Sequence, residues 1–317
     1  MVFSPHRPSA VYAESDSRAT ALPSAPTIAR VGFSDFFELT KPRLSFLSIV
    51  TALVGYLAAN ATRDLVSLGA LVLGTSLAAG GAAALNQWLE HESDSRMART
   101  RGRPVPSGRI APHAALAFGL GISLLGCLVL FLWANALCAL LAALTILSYI
   151  AVYTPLKKVT IHNTIVGAVP GAIPPLIGWA AATNSLQPFA WMLFAILFFW
   201  QLPHFYAIAW IYRRDYHQAG YRMLPDVDPK GGRTARDAFL FTGVLVLSSL
   251  LPLLPGYTSW LYGAVALVLG TFFLLRAWDF FHNPDLRDSS ARALFLASIF
   301  YLPVLLLALV VDVLLLA

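Results

Sequence analysis

Long apolar runs alternate with short charged segments from residue 44 to the C-terminus, and this alternation predicts an all-α chain. A helix needs about 20 apolar residues to cross ~30 Å of hydrocarbon. Nine runs meet or approach that length: 44–60, 66–88, 112–133, 135–153, 163–183, 188–212, 238–254, 258–277 and 291–312. The expected fold is a polytopic membrane protein, a bundle of nine transmembrane helices. The third and fourth runs are nearly continuous, and Ala134-Asn135 is the one place where a break fits. The run 163–183 reads NTIVGAVPGAIPPLIGWAAAT. Pro170, Pro174 and Pro175 must kink it, and the freed carbonyls need partners from other helices or a polar cavity. Its small residues suit close helix packing equally well.

Residues 1–32 differ from the rest. They are rich in Ser, Ala and Pro and lack an apolar core, so they read as a disordered cytoplasmic tail and not as a signal peptide. Arg7, Arg18 and Arg30 give a faint likeness to a mitochondrial presequence, which Glu14 and Asp16 oppose. Ser34–Leu39 reads as a short surface helix with Asp35 and Glu38 at capping positions. Residues 33–317 are expected to form a single transmembrane domain.

Composition excludes a soluble reading. Hydrophobic residues make up 58% of the chain and charged residues 12%, where soluble domains carry ~25% charged. Mean hydropathy is +0.68. Cys127 and Cys138 both lie in apolar runs, which argues against a disulfide scaffold. A net charge of +6 would suggest nucleic acid in a polar chain; here it reads as orientation in the membrane. With nine spans, 21 of the 22 Lys and Arg fall on the side of the N-terminus, and Arg63 alone falls opposite. The positive-inside rule makes the rich side cytoplasmic or matrix. One span more or fewer would scramble that asymmetry.

The second span runs into NQWLEHESDSRMARTRGRP. Asn86, Glu90 and Asp94 are each four apart, one stripe on a helix. Two acids so placed repel, and a hard divalent cation removes that cost. Mg²⁺ takes oxygen ligands, keeps some water and combines a few carboxylates with substrate phosphates. Arg96, Arg99, Arg101 and Arg103 follow, and guanidiniums suit phosphate oxygens. Together they outline a diphosphate site. Arginines alone would mean no more than a charged loop; it is the three in-register ligands at a membrane helix end that favour function. A second polar cluster lies at the end of the sixth span, with Gln201 and His204 inside the apolar run and Asp215 just beyond it. Ionisable groups in such a run are functional candidates, though a helix-to-helix hydrogen bond explains His204 equally well. Lys157, Lys158, Lys41 and Arg43 lie on the same side, so the polar features converge on one membrane face, cytoplasmic by the charge rule. No Cys/His spacing suits zinc.

These residues resemble the UbiA-type intramembrane prenyltransferases, and within them a heme-prenylating subgroup. NQWLEHESDSRMARTRGRP, YTPLKKVTIHNTIVGAVPGAIPPLIGW and WQLPHFYAIAWIYRRDYHQAGYRML carry the likeness, which runs from about residue 38 to 225. The resemblance implies farnesyl diphosphate as donor, protoheme (heme B) as acceptor and Mg²⁺ as cofactor. It implies Asn86, Glu90, Asp94 and Asp215 as catalytic metal ligands, and Arg99, Arg103, Lys157, Lys41 and Arg43 as cations for the diphosphate, the last two also serving the heme propionates. His204, Gln201 and Tyr206 are the expected acceptor-facing residues. The family's second acidic motif commonly has two aspartates four apart; here Ala219 follows Asp215, with Asp226 or Asp228 as substitutes. The implied setting is a bacterial inner membrane, or a mitochondrial one, with a downstream heme A synthase as a candidate partner. Two alternatives stand beside this: a related prenyltransferase acting on a quinone precursor or chlorophyllide, and a non-catalytic transporter or heme carrier. A transporter would place polar residues near the midplane and break helices in matching halves. Here one span is strongly broken and the carboxylates sit at the membrane face.

Overall fold

The computed structural model describes residues 32–61 and 64–316; the expected tail and Arg63 lie outside the described residues. Thirteen α-helical segments follow in order, and no strand occurs among the described residues: α1 (Phe33–Leu39), α2 (Pro42–Ala58), α3 (Leu65–Ser95), α4 (Pro112–Trp133), α5 (Ala136–Leu147), α6 (Thr154–Leu156), α7 (Asn163–Ala172), α8 (Pro174–Thr183), α9 (Pro188–Ile211), α10 (Arg213–Gln218), α11 (Gly232–Leu250), α12 (Trp260–His282) and α13 (Arg287–Leu316). Among the described residues, eight helical stretches are long and apolar enough to cross a membrane, and α2, at 17 residues, is a shorter apolar helix beside them.

Local chemistry sets the boundaries. Asp64 caps α3 by accepting from the N–H groups of Val66 and Ser67 (3.1 and 3.0 Å). The soft boundary at Ala134-Asn135 is a true break: the Asn135 side chain accepts from Cys138 N–H (2.9 Å) and starts α5 as an N-cap. The Pro-rich span divides into α7 and α8 at Ile173, because Pro174 and Pro175 cannot donate into the preceding turn. In α1, Asp35 accepts from Gly32 N–H (3.0 Å), and both Asp35 and Glu38 pair with Arg109. That ion pairing, a tie between α1 and the loop before α4, was not foreseen.

Small residues decide the packing. α3 and α4 approach through Gly74, Gly81, Gly119 and Gly126, where an added Cβ would overlap the facing helix. α2 and α8 approach backbone to backbone at Gly55 and Gly178. Such contacts let dispersion act where lipid removes the hydrophobic drive between helices. At the end remote from the charged loops, buried Asp312 on α13 accepts from Ser259 N–H (2.6 Å) and pairs with its hydroxyl, which fixes the start of α12. The inward faces of α2, α3, α5, α7 and α9 leave a cavity of about 390 Å³ open toward the charged loops.

Candidate active site

The cavity wall begins with the stripe on α3. Asn86, Glu90 and Asp94 are all buried, at 2, 5 and 1% exposure, and all line the cavity. Every one is held by a cation or by its neighbour. Lys41 donates to Asn86 Oδ1 (2.8 Å), Asn86 Nδ2 donates to Glu90 Oε2 (2.8 Å), and Lys157 Nζ meets Glu90 Oε1 (2.8 Å). Arg103 meets Asp94 Oδ2 at 2.6 Å. Buried carboxylates without such partners would be very costly. The network therefore compensates two acids with cations drawn from three different segments. Burial pushes the Lys41 ammonium down to about 7, with Arg103 and Lys157 adding repulsion.

Each cation is positioned by its own backbone. Lys41 sits at a left-handed position (φ 46°) that turns α1 into α2 and points its side chain into the cavity wall. Lys157 follows α6, and its carbonyl accepts from Arg222 N–H (2.7 Å). Asn163 Nδ2 donates to the carbonyls of Thr160 and Arg222 (both 2.7 Å), tying the loop after α6 to the segment after α10. Arg99 lies 5.1 and 5.0 Å from the ring centres of Tyr212 and Tyr216 and donates to the Tyr216 hydroxyl (2.9 Å). It thus bridges the loop after α3 to α10 while lining the cavity. The wall also carries apolar and aromatic side chains, Leu44, Tyr149, Tyr153, Phe205, Ile208 and Met223. Gln201 lines it too, donating to Ala168 O (3.2 Å) from a position where Gly171 leaves no room for a Cβ.

Not all expected site residues arrive. Asp215, on α10, is half-buried and stands off the cavity wall. Arg43 is exposed at the start of α2. His204 faces α13: its Nδ1 bonds the Ser298 hydroxyl (2.7 Å), and its ring stacks on Trp200 at 4.9 Å. Tyr206 lines a second, smaller cavity beside Phe241 on α11. Asp226 accepts from Met223 N–H (3.0 Å), and Asp228 caps α11 through Thr234 (2.8 Å). Those two carboxylates are occupied with local structure, and neither extends the α3 stripe. The sequence reading missed Tyr149, Tyr153, Asn163 and Tyr221, all on the wall. A signal existed for two of them, since Tyr149, Tyr153 and Lys157 repeat every four residues into the charged turn.

Comparison with known proteins gives the family. Residues 48–299 match the UbiA prenyltransferase family, and the chain belongs to that family as an all-α, multi-pass membrane protein. It is 51% identical over 280 residues to the protoheme IX farnesyltransferase of Opitutus terrae, covering 88% of this chain and 95% of that one. It is 45% identical to the protoheme IX farnesyltransferase of Solibacter usitatus, covering 86% and 96%. Among solved structures, a digeranylgeranylglyceryl phosphate synthase superposes with a TM-score of 0.75 at 17% identity, over 88% of this chain and 98% of that one. A UbiA homolog from Archaeoglobus fulgidus bound to GPP and Mg²⁺ gives 0.58 at 12%, over 87% and 99%; at these identities both share the fold.

Proposed function

We propose that the chain transfers a farnesyl group from farnesyl diphosphate to a vinyl group of protoheme IX, giving the hydroxyethylfarnesyl product heme O and diphosphate, a step toward heme A for terminal oxidases. The observation that carries it is the buried Asn86–Glu90–Asp94 row with its compensating cations at the mouth of an apolar cavity. The choice of acceptor rests on the full-length likeness to protoheme IX farnesyltransferases.

The donor set fits Mg²⁺: two buried carboxylates and an amide oxygen, one turn apart, with Asp94 Oδ1 free of hydrogen bonds among the described residues. Asn86, Glu90 and Asp94 would hold it, and it would supply charge neutralisation at the diphosphate. Asp215 is proposed as a ligand that joins with substrate bound. Lys41, Lys157, Arg99 and Arg103 gather where phosphate oxygens would lie; each can exchange its carboxylate, amide or tyrosine partner for them as the leaving group gains charge. The C–O bond of the donor breaks with its electron pair leaving on diphosphate. The allylic cation so formed is attacked by the heme vinyl π electrons. Water then captures the cation left beside the porphyrin and releases a proton. Leu44, Tyr149, Tyr153, Phe205 and Ile208 on the cavity wall would keep bulk water from the first cation until it reacts. Gln201, Phe205 and Ile208 line the same cavity and are the side chains we would place against the acceptor.

The charge asymmetry supports a cavity opening to the cytoplasm from a bacterial inner membrane, where a downstream heme A synthase can take the product. Purified protein in nanodiscs, given farnesyl diphosphate, Mg²⁺ and heme B, should form heme O by mass spectrometry. Formation of a prenylated quinone precursor instead, with heme untouched, would reassign the acceptor. Cysteines introduced at positions 100 and 317 should label from opposite sides, and labelling from one side would defeat the nine-span arrangement.

A further inference from the structure

The helix that enters the charged loop at Lys157 is not regular. Residues Ser148–Tyr153 form a π-helical turn between α5 and α6. The cause lies one residue past α6's start. Pro155 has no N–H for the carbonyl four residues back, and its ring crowds that carbonyl. The chain widens instead, and both the backbone N–H and the hydroxyl of Thr154 return to the Tyr149 carbonyl, the hydroxyl at 2.8 Å. Thr154 also receives Asn86 Nδ2 at 3.4 Å, so the widened turn is keyed to the metal-ligand stripe. Turns of this kind cost helix stability and recur at functional sites.

The turn sets two tyrosine rings on the cavity wall. Tyr149 and Tyr153 stack with centroids 5.6 Å apart and planes at 28°. Lys157 Nζ lies 4.6 Å from the centre of the Tyr153 ring and 2.8 Å from Glu90. The Tyr153 ring therefore flanks the place where the diphosphate would sit. Tyr149 is one turn further from the charged rim on the same helix, still on the cavity wall, where the first carbons of a prenyl chain bound through its diphosphate would enter. An aromatic face attracts a cation within about 6 Å of its centroid, most strongly when water is excluded. A ring face also offers that attraction without a strong nucleophile that would trap the cation.

We propose that the Tyr149 ring is a catalytic group that stabilises the allylic cation between departure of the diphosphate and attack by the acceptor. This rests on the prenyl transfer proposed above. No bond to Tyr149 forms or breaks: the C–O electron pair leaves on diphosphate, the positive charge spreads over the allyl carbons beneath the ring, and the acceptor's π electrons discharge it. The ring acts through its quadrupole, and its hydroxyl takes no part.

The test replaces residue 149 with phenylalanine carrying zero, one, two or three fluorines, at nearly constant size. Turnover of farnesyl diphosphate with heme B is followed by mass spectrometry. Tyr149→Phe should keep kcat within about 3-fold of wild type, and log kcat should fall stepwise with fluorine number, to about 10-fold or more for the trifluoro ring. KM for farnesyl diphosphate should stay level. A flat kcat across the series, a change confined to KM, or a Tyr149→Phe variant as poor as Tyr149→Leu would overturn the proposal. Failure of the functional reading looks different. If the wild type prenylates another acceptor, the fluorine series is read on that acceptor and the Tyr149 proposal stands or falls there; no prenyl transfer by the wild type removes both.

Discussion

Two acidic regions face the same rim of the bundle and are held in contrasting ways. At the end of α3, Glu90 and Asp94 are buried, and each lies against a cation within 2.8 Å. On α10, Asp215 is half-buried, with no hydrogen bond or ion pair to its side chain among the described residues and a place off the cavity wall. The first region is held together by contacts within the protein itself. Its carboxylates keep their geometry because removing a partner from a buried charge costs several kcal/mol, roughly 3–5. The second is held only through its neighbours, above all Tyr216 and its bond to Arg99. On the proposed function, the α3 half would set where the diphosphate lands, and Asp215 would respond once it is there.

This contrast can be broken by mutation. Asp94→Asn keeps the size of the side chain and removes its charge, and kcat should fall by about 10²-fold or more, in the range seen when an electrostatic contact to a transition state is lost. Circular dichroism should still show a folded protein; near-normal turnover at low Mg²⁺ would remove Asp94 from the site. Lys157→Met should weaken farnesyl diphosphate binding by about 10- to 100-fold, the worth of one hydrogen bond to a charged group. Titration calorimetry checks it, and an unchanged affinity would confine Lys157 to neutralising Glu90. Asp215→Asn should do less, about 10-fold, expressed as a raised Mg²⁺ requirement. If it matched Asp94→Asn in depth at saturating Mg²⁺, the two regions would be equivalent and the contrast would fail. The smallest effect is expected at His204→Ala. It should cost about 1 kcal/mol of stability through the lost Ser298 bond and leave heme turnover within about 3-fold. A large loss of heme turnover without loss of stability would bring His204 back toward the acceptor.

Much of this arrangement could be read from spacing alone. Residues four apart on one helix share a face whatever surrounds it, so Asn86, Glu90 and Asp94 were found together, and the proline pair marked the break before α8. Spacing does not say which neighbour occupies that face. Gln201 and His204 are three apart on α9, a rotation of about 60° on a 3.6-residue helix. That angle sends Gln201 to α7 and His204 to α13. Asp215 follows a change of helix at Tyr212, where the side-chain direction depends on loop geometry that local pattern does not carry. Tyr149 escaped notice because a tyrosine in an apolar span reads as lining, and its significance depends on a turn that Pro155 widens.

The break at Ile173 gives one membrane span two attachments. Its first half, α7, leans on α9 and the π-helical turn, where Gly167 and Gly171 admit Tyr153 and Gln201. Its second half, α8, is locked to α2 where Gly178 and Gly55 let the backbones touch. Slow amide exchange should follow that division. The amides of α8 should hold their protons nearly as long as the global unfolding time, while those of α7 should open on a shorter clock that lengthens when the cavity is filled.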